Sequence, residues 1–391
     1  MVEWLVIVLS VLMPLILLPA FLPTLVLMAK RKNVTDAPNF RKQQKRPVPL
    51  LGGMLVVSVM ATSLACASLY VPLDDLFPAM CMVVLLMAVG LIDDSIDLKY
   101  NVKLIIQIFV TTLLCFVGNY RITSLWTVFG IETLHPIVSC LLSVFVGVAI
   151  MNALNFLDGI DGLTAVYGMF VGIIMTVWGW HHGEISHAIF SIIIASCMFA
   201  FWIFNGFSEK YKIYLGDSGS LVLGLYVYLS VCKILSHRMP QVHLSNGYQA
   251  SFVVAMLAVP MFDFIRVIVG RIIRKKSPFH PDRTHLHHIM IDVGFSHQTA
   301  CLIIITLNIL VFACWGLLAE WRATHTMHLA VIVLISTFFV MGPYFLLTLL
   351  RDHAPKAYHR LQVLVRRRRI VLSRRHRWFS NVIDQMPTLK L

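Results

Sequence analysis

The sequence predicts an all-α polytopic membrane protein of about eleven transmembrane helices, with a periplasmic N-terminus and a cytoplasmic C-terminus. Three observations carry this expectation. Of the 391 residues, 58% are hydrophobic and 13% charged, with a mean hydropathy of +0.80, whereas soluble domains carry about 25% charged residues. Eleven apolar stretches approach the roughly 20 residues that cross a hydrocarbon core of about 30 Å as a helix. The basic residues of this +13 chain gather beside the ends of those stretches in alternate loops, as positive-inside topology requires.

The stretches run over 5–28, 50–71, 77–92, 102–118, 137–151, 163–180, 188–204, 220–235, 252–269, 299–318 and 328–350. The first is too long for a signal-peptide core, lacks a basic flank and has no small-residue cleavage site, so it is expected to remain as a helix. The connection after it carries Lys30, Arg31, Lys32, Arg41, Lys42, Lys45 and Arg46, and the next carries Asp74 and Asp75. Odd-numbered loops are therefore expected on the cytoplasmic side. The loop after 252–269 adds Arg271, Arg274, Lys275, Lys276 and Arg283, and the tail adds Arg366 to Arg369, Arg374, Arg375 and Arg377. This placement argues for a membrane surface and against nucleic acid as the partner of the charge. The eight cysteines lie in apolar stretches without CxxC spacing and are expected to be buried small residues rather than disulfides or ligands.

Four polar clusters fall in the odd-numbered loops: IDDSIDLKYNVK at 92–103, NALNFLDGIDGL at 152–163, GDSGS at 216–220 and PDRTHLHH at 281–288. Asp93 and Asp94 end one stretch, and a further helical turn would bring Asp97 to their side. An ordinary acidic helix end needs one carboxylate, while three beside apolar spans invite a cation or a shared proton. Lys103 opens the next helix and either holds an anion or snorkels to the interface. Asn152, Asn155 and Asp158 recur at threes along one ridge, followed by Asp161. Their oxygens suit Mg²⁺ or a nucleobase edge, with Asp-Gly turns as the plain alternative.

GDSGS opens a helix whose first amides and dipole suit phosphate, and there Asp217 would ligate a metal. The same residues also make ordinary N-caps. His285, His287 and His288 follow Arg283 in a cationic loop, which fits anion gripping better than zinc, since cysteine ligands are absent from that spacing. Arg266 lies three residues after Asp263 within an apolar stretch, as an intramembrane pair that is structural or grips an anion.

Taken together, DDSID, NALNFLDGIDGL, GDSGSLVLG and SPFHPDRTHLHH, with DAPNFRKQQKRPVPLLGG after the first stretch, resemble the polyprenyl-phosphate N-acetylhexosamine-1-phosphate transferase family, close to its bacterial WecA-type branch. The resemblance covers about residues 1–350, leaving 351–391 as a basic cytoplasmic tail. It implies a UDP-N-acetylhexosamine donor, undecaprenyl phosphate as acceptor, UMP as product, Mg²⁺ or Mn²⁺ as cofactor, and a place in the bacterial inner membrane. It implies Asp217 and Asn155 as metal ligands and Asp161 as a nucleotide contact. Asp93 and Asp94 would orient or deprotonate the lipid phosphate, and Lys103 would hold it. Arg283, His285, His287 and His288 would grip the pyrophosphate and sugar.

The muramoyl-pentapeptide branch usually has an uninterrupted histidine triplet where this chain reads HLHH, which favours UDP-N-acetylglucosamine. Other UDP-N-acetylhexosamines stay open, as do direct or covalent transfer, the downstream glycan (O-antigen or another lipid-linked polysaccharide) and a homodimer. A secondary transporter is the rival class, but its polar residues would gather at the midplane on broken helices. An aspartate-rich prenyltransferase would want a second DDxxD cluster, and DGIDG is not one.

Overall fold

The computed structural model describes residues 2–32, 35, 47–236, 248–277 and 284–385. Arg283, and the loop cations Arg41, Lys42, Lys45 and Arg46, lie outside the described residues. The elements in order are α1 (Val2–Arg31), α2 (Gly52–Ala67), α3 (Phe77–Ile96) and α4 (Tyr100–Phe116), then a hairpin of β1 (Ser124–Val128) and β2 (Ile131–Thr133). There follow α5 (Pro136–Leu157), α6 (Leu163–His181), α7 (Ile185–Phe207), α8 (Gly216–Ile234), α9 (Gln249–Met256), α10 (Ala258–Ile273), α11 (Leu286–Val293), α12 (His297–Leu318), α13 (His325–Ser336), α14 (Gly342–His353) and α15 (Pro355–Asp384).

Every expected apolar stretch is helical. Among the described residues, eight helices are long and apolar enough to cross a membrane, or nine when α9 and α10 count as one bent span. The remaining two stretches, Gly52–Ser68 and Tyr100–Phe116, are shorter apolar helices. At a rise of about 1.5 Å per residue such short helices approach a thin hydrocarbon core rather than exceed it.

Two compact units divide the chain. The first holds Met1–Lys99, Thr164–Tyr226 and Ser373–Leu391, and the second holds Tyr100–Leu163 and Val227–Leu372. In the first, α1 packs on α2 and α7, and α2 packs on α3 and α7. The interior is apolar and dense, with Leu18, Leu22, Met60, Leu86, Phe201 and Phe204 shut away from solvent. In the second, α4 packs on α5, α5 on α10, α9 on α12 and α13, and α11 on α12 and α14. Side-chain caps start α5, α12 and α13: His135 Nδ1 accepts the Ile137 amide at 3.4 Å, Ser296 the Thr299 amide at 3.2 Å and Thr324 the Met327 amide at 3.2 Å, meeting amides that a helix start leaves open.

The stretch expected as one helix over 252–269 is broken, with α9 and α10 meeting at a bend of 74°. Pro260 has no amide to offer the Met256 carbonyl, so the ladder fails there. Asn308 of α12 repairs it. Its Oδ1 accepts the Val259 amide at 2.8 Å, and its Nδ2 donates to Met256 O at 3.1 Å and Ala255 O at 3.4 Å.

All eight cysteines are free thiols. Cys115, Cys197, Cys232 and Cys301 are buried as expected, but Cys66, Cys140 and Cys314 are half-buried and Cys81 is exposed. The correction has a simple cause. Helices of a membrane protein keep apolar residues on their outward side as well, so an apolar stretch does not fix which of its cysteines face inward.

Candidate active site

Each unit carries its own polar cluster. In the first unit, the sequence PLLGG before α2 runs beside the strand-like segment before α8: Tyr214 N donates to Pro49 O at 2.9 Å, Gly52 N to Tyr214 O at 3.0 Å and Gly53 N to Leu215 O at 2.8 Å. The approach depends on small residues. A methyl group at Gly53 would overlap the Gly219 backbone, and one at Gly90 of α3 would overlap the backbone at Ser218. These contacts bring the end of α3 against the start of α8.

There Asp94 Oδ1 accepts the Asp217 amide at 2.9 Å and Oδ2 accepts the Ser218 amide at 3.4 Å. Two of the amides that the sequence offers to a phosphate thus serve the Asp94 carboxylate, which also meets the positive end of the helix dipole. Gly216 turns the chain into α8 at φ 72°, where a Cβ would lie 2.5 Å from Asp94 Oδ2. Asp94 and Asp217 are near enough for their charges to repel. Asp93 is buried, and its Oδ1 accepts the Leu98 amide at 2.8 Å, fixing the exit of α3. Asp97 departs from the expected register. It sits past the helix end at φ 53° and is exposed, because its amide closes the last turn on Asp93 O.

The second unit holds the other candidates. Lys103 is half-buried in the first turn of α4. Asn152 is buried, donating to Gln107 Oε1 of α4 at 2.7 Å and to Val148 O at 2.8 Å. Its amide nitrogen is thereby engaged in tying α5 to α4. Asn155 is half-buried near the end of α5, and its carbonyl receives the amide of Asp158, the C-terminal residue that caps this helix. Asp161 Oδ2 pairs with His297 Nδ1 of α12 at 2.9 Å, with the carboxylate side chain 10% exposed.

The histidines are organised by Asp263. His285 Nδ1 donates to its Oδ2 at 2.9 Å, while its Oδ1 accepts Arg266 Nη2 at 2.6 Å and the Leu286 amide at 3.1 Å. Arg266 also reaches Thr284 O at 2.7 Å and lies 3.4 Å over the Tyr344 ring. It therefore fastens the loop to α10 through Asp263. His285 stacks on Phe156 at 5.2 Å and runs parallel to His287 at 5.6 Å, and His288 lies 4.2 Å from His287. The His287 ring nitrogen Nε2 is directed at Gly159, where a methyl group would overlap it. Burial, then the neighbouring His288 and His285, hold the His287 imidazole well below its ordinary pKa of 6.5, so it is neutral. Nε2 of His285 and of His287 are buried without a hydrogen-bond partner among the described residues. Buried polar atoms in native proteins are nearly always satisfied, so these two are built to meet a ligand or water.

Sequence reading missed His297 and the organising role of Asp263. His297 stands 136 residues from its partner Asp161, and no local pattern connects them. Asp263 did carry a signal, as an acid inside an apolar stretch. Among the described residues, no group of three or more His, Cys, Asp or Glu gathers as a metal centre.

Residues 76–235 match the model of glycosyl transferase family 4. The chain is 29% identical over 321 residues to the undecaprenyl-phosphate alpha-N-acetylglucosaminyl 1-phosphate transferase of Escherichia coli K12, covering 80% of this chain and 84% of that protein. It is 30% identical over 300 residues to the protein of that name from Escherichia coli O157:H7, covering 75% and 78%. It is also 30% identical over 299 residues to the decaprenyl-phosphate N-acetylglucosaminephosphotransferase of Mycolicibacterium smegmatis, covering 71% and 73%. The matched family segment contains the acidic end of α3, the end of α5 and the start of α8, while the cluster of Asp263 and the histidines lies beyond it. The chain belongs to glycosyl transferase family 4 and is a sugar-phosphate transferase.

Proposed function

We propose that this chain transfers N-acetylglucosamine-1-phosphate from UDP-N-acetylglucosamine to undecaprenyl phosphate. It thereby releases UMP and starts a lipid-linked cell-surface polysaccharide of the O-antigen kind. The names of its relatives support the lipid acceptor and the sugar. The observation that carries the chemistry is the Asp94 carboxylate locked across the first amides of α8 beside Asp217, which joins two motifs 123 residues apart.

Transfer needs few covalent contributions from the protein. The acceptor phosphate, with a second pKa of about 6, is already nucleophilic at neutral pH. One of its oxygens attacks the sugar-bearing phosphorus of the donor. That P–O bond forms as the bond to the uridylate oxygen breaks, and UMP departs with the electron pair. Positioning and charge neutralisation then set the rate.

The donor set fits a hard divalent cation, since Asp94 and Asp217 are repelling carboxylates at the rim of apolar helices and Mg²⁺ takes one or two such oxygens while keeping its waters. Mg²⁺ or Mn²⁺ would neutralise phosphate charge, with Asp217 and Asn155 in the ligand roles that the resemblance gives them. Asp93 and Asp94 keep the role of orienting or deprotonating the lipid phosphate, with Lys103 holding it and Asp97 as a further acid of the catalytic set. Asp161 is assigned to the nucleotide, with His297 orienting it, and Asp158 to the catalytic set.

The bare Nε2 of His285 belongs to an imidazole whose other nitrogen is held by a carboxylate, an arrangement suited to phosphate oxygen. His287, being neutral, makes one directional hydrogen bond and suits a sugar hydroxyl or acetamido group better than a charge. Arg283 keeps its assigned phosphate role. Residues 1–350 form the catalytic domain and 351–391 the basic tail. Eleven crossings, with the N-terminus outside and the catalytic loops facing the cytoplasm of a bacterial inner membrane, follow from the alternating loop charge. The direct test is UMP release by the purified protein in detergent. It should require UDP-N-acetylglucosamine, polyprenyl phosphate and Mg²⁺ together, and release indifferent to the lipid overturns the proposal.

A further inference from the structure

Asp384 is the only acid after Asp352, in a tail otherwise rich in arginine. It ends α15, whose last turns pack within the first unit. Ser380 and Ile383 are buried there, and the Phe379 ring lies 5.9 Å from that of Phe207, the last residue of α7. From this seat the Asp384 carboxylate reaches the connection between α7 and α8. Its Oδ1 accepts the Ser208 hydroxyl at 2.5 Å, and both oxygens accept the Lys210 amide at 3.3 Å. Oδ2 also accepts the Glu209 amide at 3.4 Å and the Ser380 hydroxyl at 3.2 Å. The Lys210 ammonium donates back to the Asp384 carbonyl at 3.4 Å, where the helix dipole is negative.

Residues 208–215 form neither helix nor strand, so their course depends on such tethers. Bonds to an ionised carboxylate are about twice as strong as neutral ones, and here they fall on two successive amides. The remaining tethers run in sequence toward the site. Ser208 Oγ, while donating to Asp384, accepts the Tyr211 amide at 2.8 Å, and Tyr211 is buried. Ile213 O accepts Asn205 Nδ2 at 2.8 Å. Tyr214 and Leu215 then pair with Pro49, Gly52 and Gly53, and Gly216 and Asp217 follow directly.

We infer that Asp384 is a positioning residue for the transfer reaction: by holding the turn at 208–210 it sets where Tyr214 and Leu215 deliver Asp217 to the site. The inference rests on the reading of Asp217 as a ligand of the divalent cation. A misplacement of about 1 Å at a reacting centre costs about a hundredfold in rate, so even a partial slackening of this connection is visible in turnover. The rival role is an Asp384 that anchors only the tail, whose loss would free the end of α15 and leave residues 208–217 as they are.

The test compares the full wild-type chain with Asp384→Ala, first by amide hydrogen exchange without substrate or metal. The amides of Tyr211, Tyr214, Gly52 and Gly53 should exchange at least about fivefold faster in the variant, as a local opening. Faster exchange confined to residues 378–384 overturns the inference, and so does a rise spread evenly over the whole chain. In UMP release, kcat should fall at least about tenfold. The Mg²⁺ concentration giving half the maximal rate should rise at least about threefold, a shift that a smaller fraction of folded enzyme does not produce. A lower kcat at unchanged Mg²⁺ half-saturation overturns the inference. Should Asp384→Ala fail to fold, Ser208→Ala removes the hydroxyl relay while keeping the acid, and exchange at Tyr211 and Tyr214 should again quicken. Unchanged exchange there overturns the inference. A wild-type chain that releases no UMP refutes the functional reading alone, because the exchange measurement needs no turnover and still decides whether Asp384 holds the connection.

Discussion

The Asp94 carboxylate accepts the backbone amide of Asp217 at 2.9 Å, so one acid of the α3 cluster is a structural partner of the main chain that carries another. The side chains of these two residues are therefore separable by mutation. Asp217→Asn keeps the amide and with it the lock on α8, but halves the carboxylate charge offered to a cation. UMP release should fall by at least about a hundredfold, a loss of about 2.7 kcal/mol in barrier terms, with thermal unfolding unchanged. Asp94→Ala removes the acceptor itself. It should lose activity and in addition about 1 kcal/mol of stability, the usual cost of an N-cap. Equal stability of the two variants would show that the lock contributes nothing.

Gly159 and His287 test the second cluster. A methyl group at Gly159 would overlap His287 Nε2, and Gly159 is exposed, so Gly159→Ala displaces the ring without disturbing a deep core. Activity should fall at least about tenfold, with stability changed by less than about 1 kcal/mol. His287→Gln, which removes the ring, should make the additional effect of Gly159→Ala small in a double-mutant cycle. Fully additive losses would separate the two residues.

The pH dependence of stability follows from His287. Its folded pKa lies well below 6.5 because burial disfavours the cation. Below pH 6.5 the unfolded chain takes up a proton that the folded imidazole refuses, so the unfolded state binds more protons and stability falls with falling pH. Above the unfolded pKa the contribution is fully present and level. Thermal unfolding followed from about pH 8 to about pH 5.5 should show this loss, and His287→Gln should flatten it. An identical slope in the variant would remove His287 as its source.

Most of the secondary structure was legible because membrane helices must satisfy their backbone internally, so an apolar run is almost forced to be a helix. The same logic gave 252–269 as one unbroken helix: the missing donor at Pro260 was passed over, and nothing local points to Asn308, which lies 48 residues further on. Asp93, Asp94 and Asp217 stood out as acids beside apolar stretches. That Asp94 would take amides of α8 was not legible, since it depends on Gly53, Gly90 and Gly216 letting the backbones close in. Asp97 misled for a local reason: helical spacing was extended one residue beyond the point where the chain turns left-handed.

Asn308→Leu probes the broken helix directly. In an unbroken ladder Val259 N would bond Ala255 O, and residue 260 would bond Met256 O. Pro260 cannot make the second bond, and the 74° bend opens the first. The Asn308 carboxamide replaces both by accepting from Val259 and donating to the two carbonyls. Asn308 is fully buried, so water is not at hand to substitute, and each orphaned group costs about 1–3 kcal/mol. Leucine has similar volume, which leaves lost hydrogen bonding rather than a cavity as the main effect. The variant should lose about 3 kcal/mol, read as a lower unfolding temperature in detergent, and UMP release should drop because α10 carries Asp263, on which His285 depends. Asn308→Asp keeps the acceptor for Val259 but sets a carboxylate against two carbonyl oxygens, so at neutral pH it should be no more stable than the leucine variant. Wild-type stability in Asn308→Leu would mean that the bend is held by packing alone.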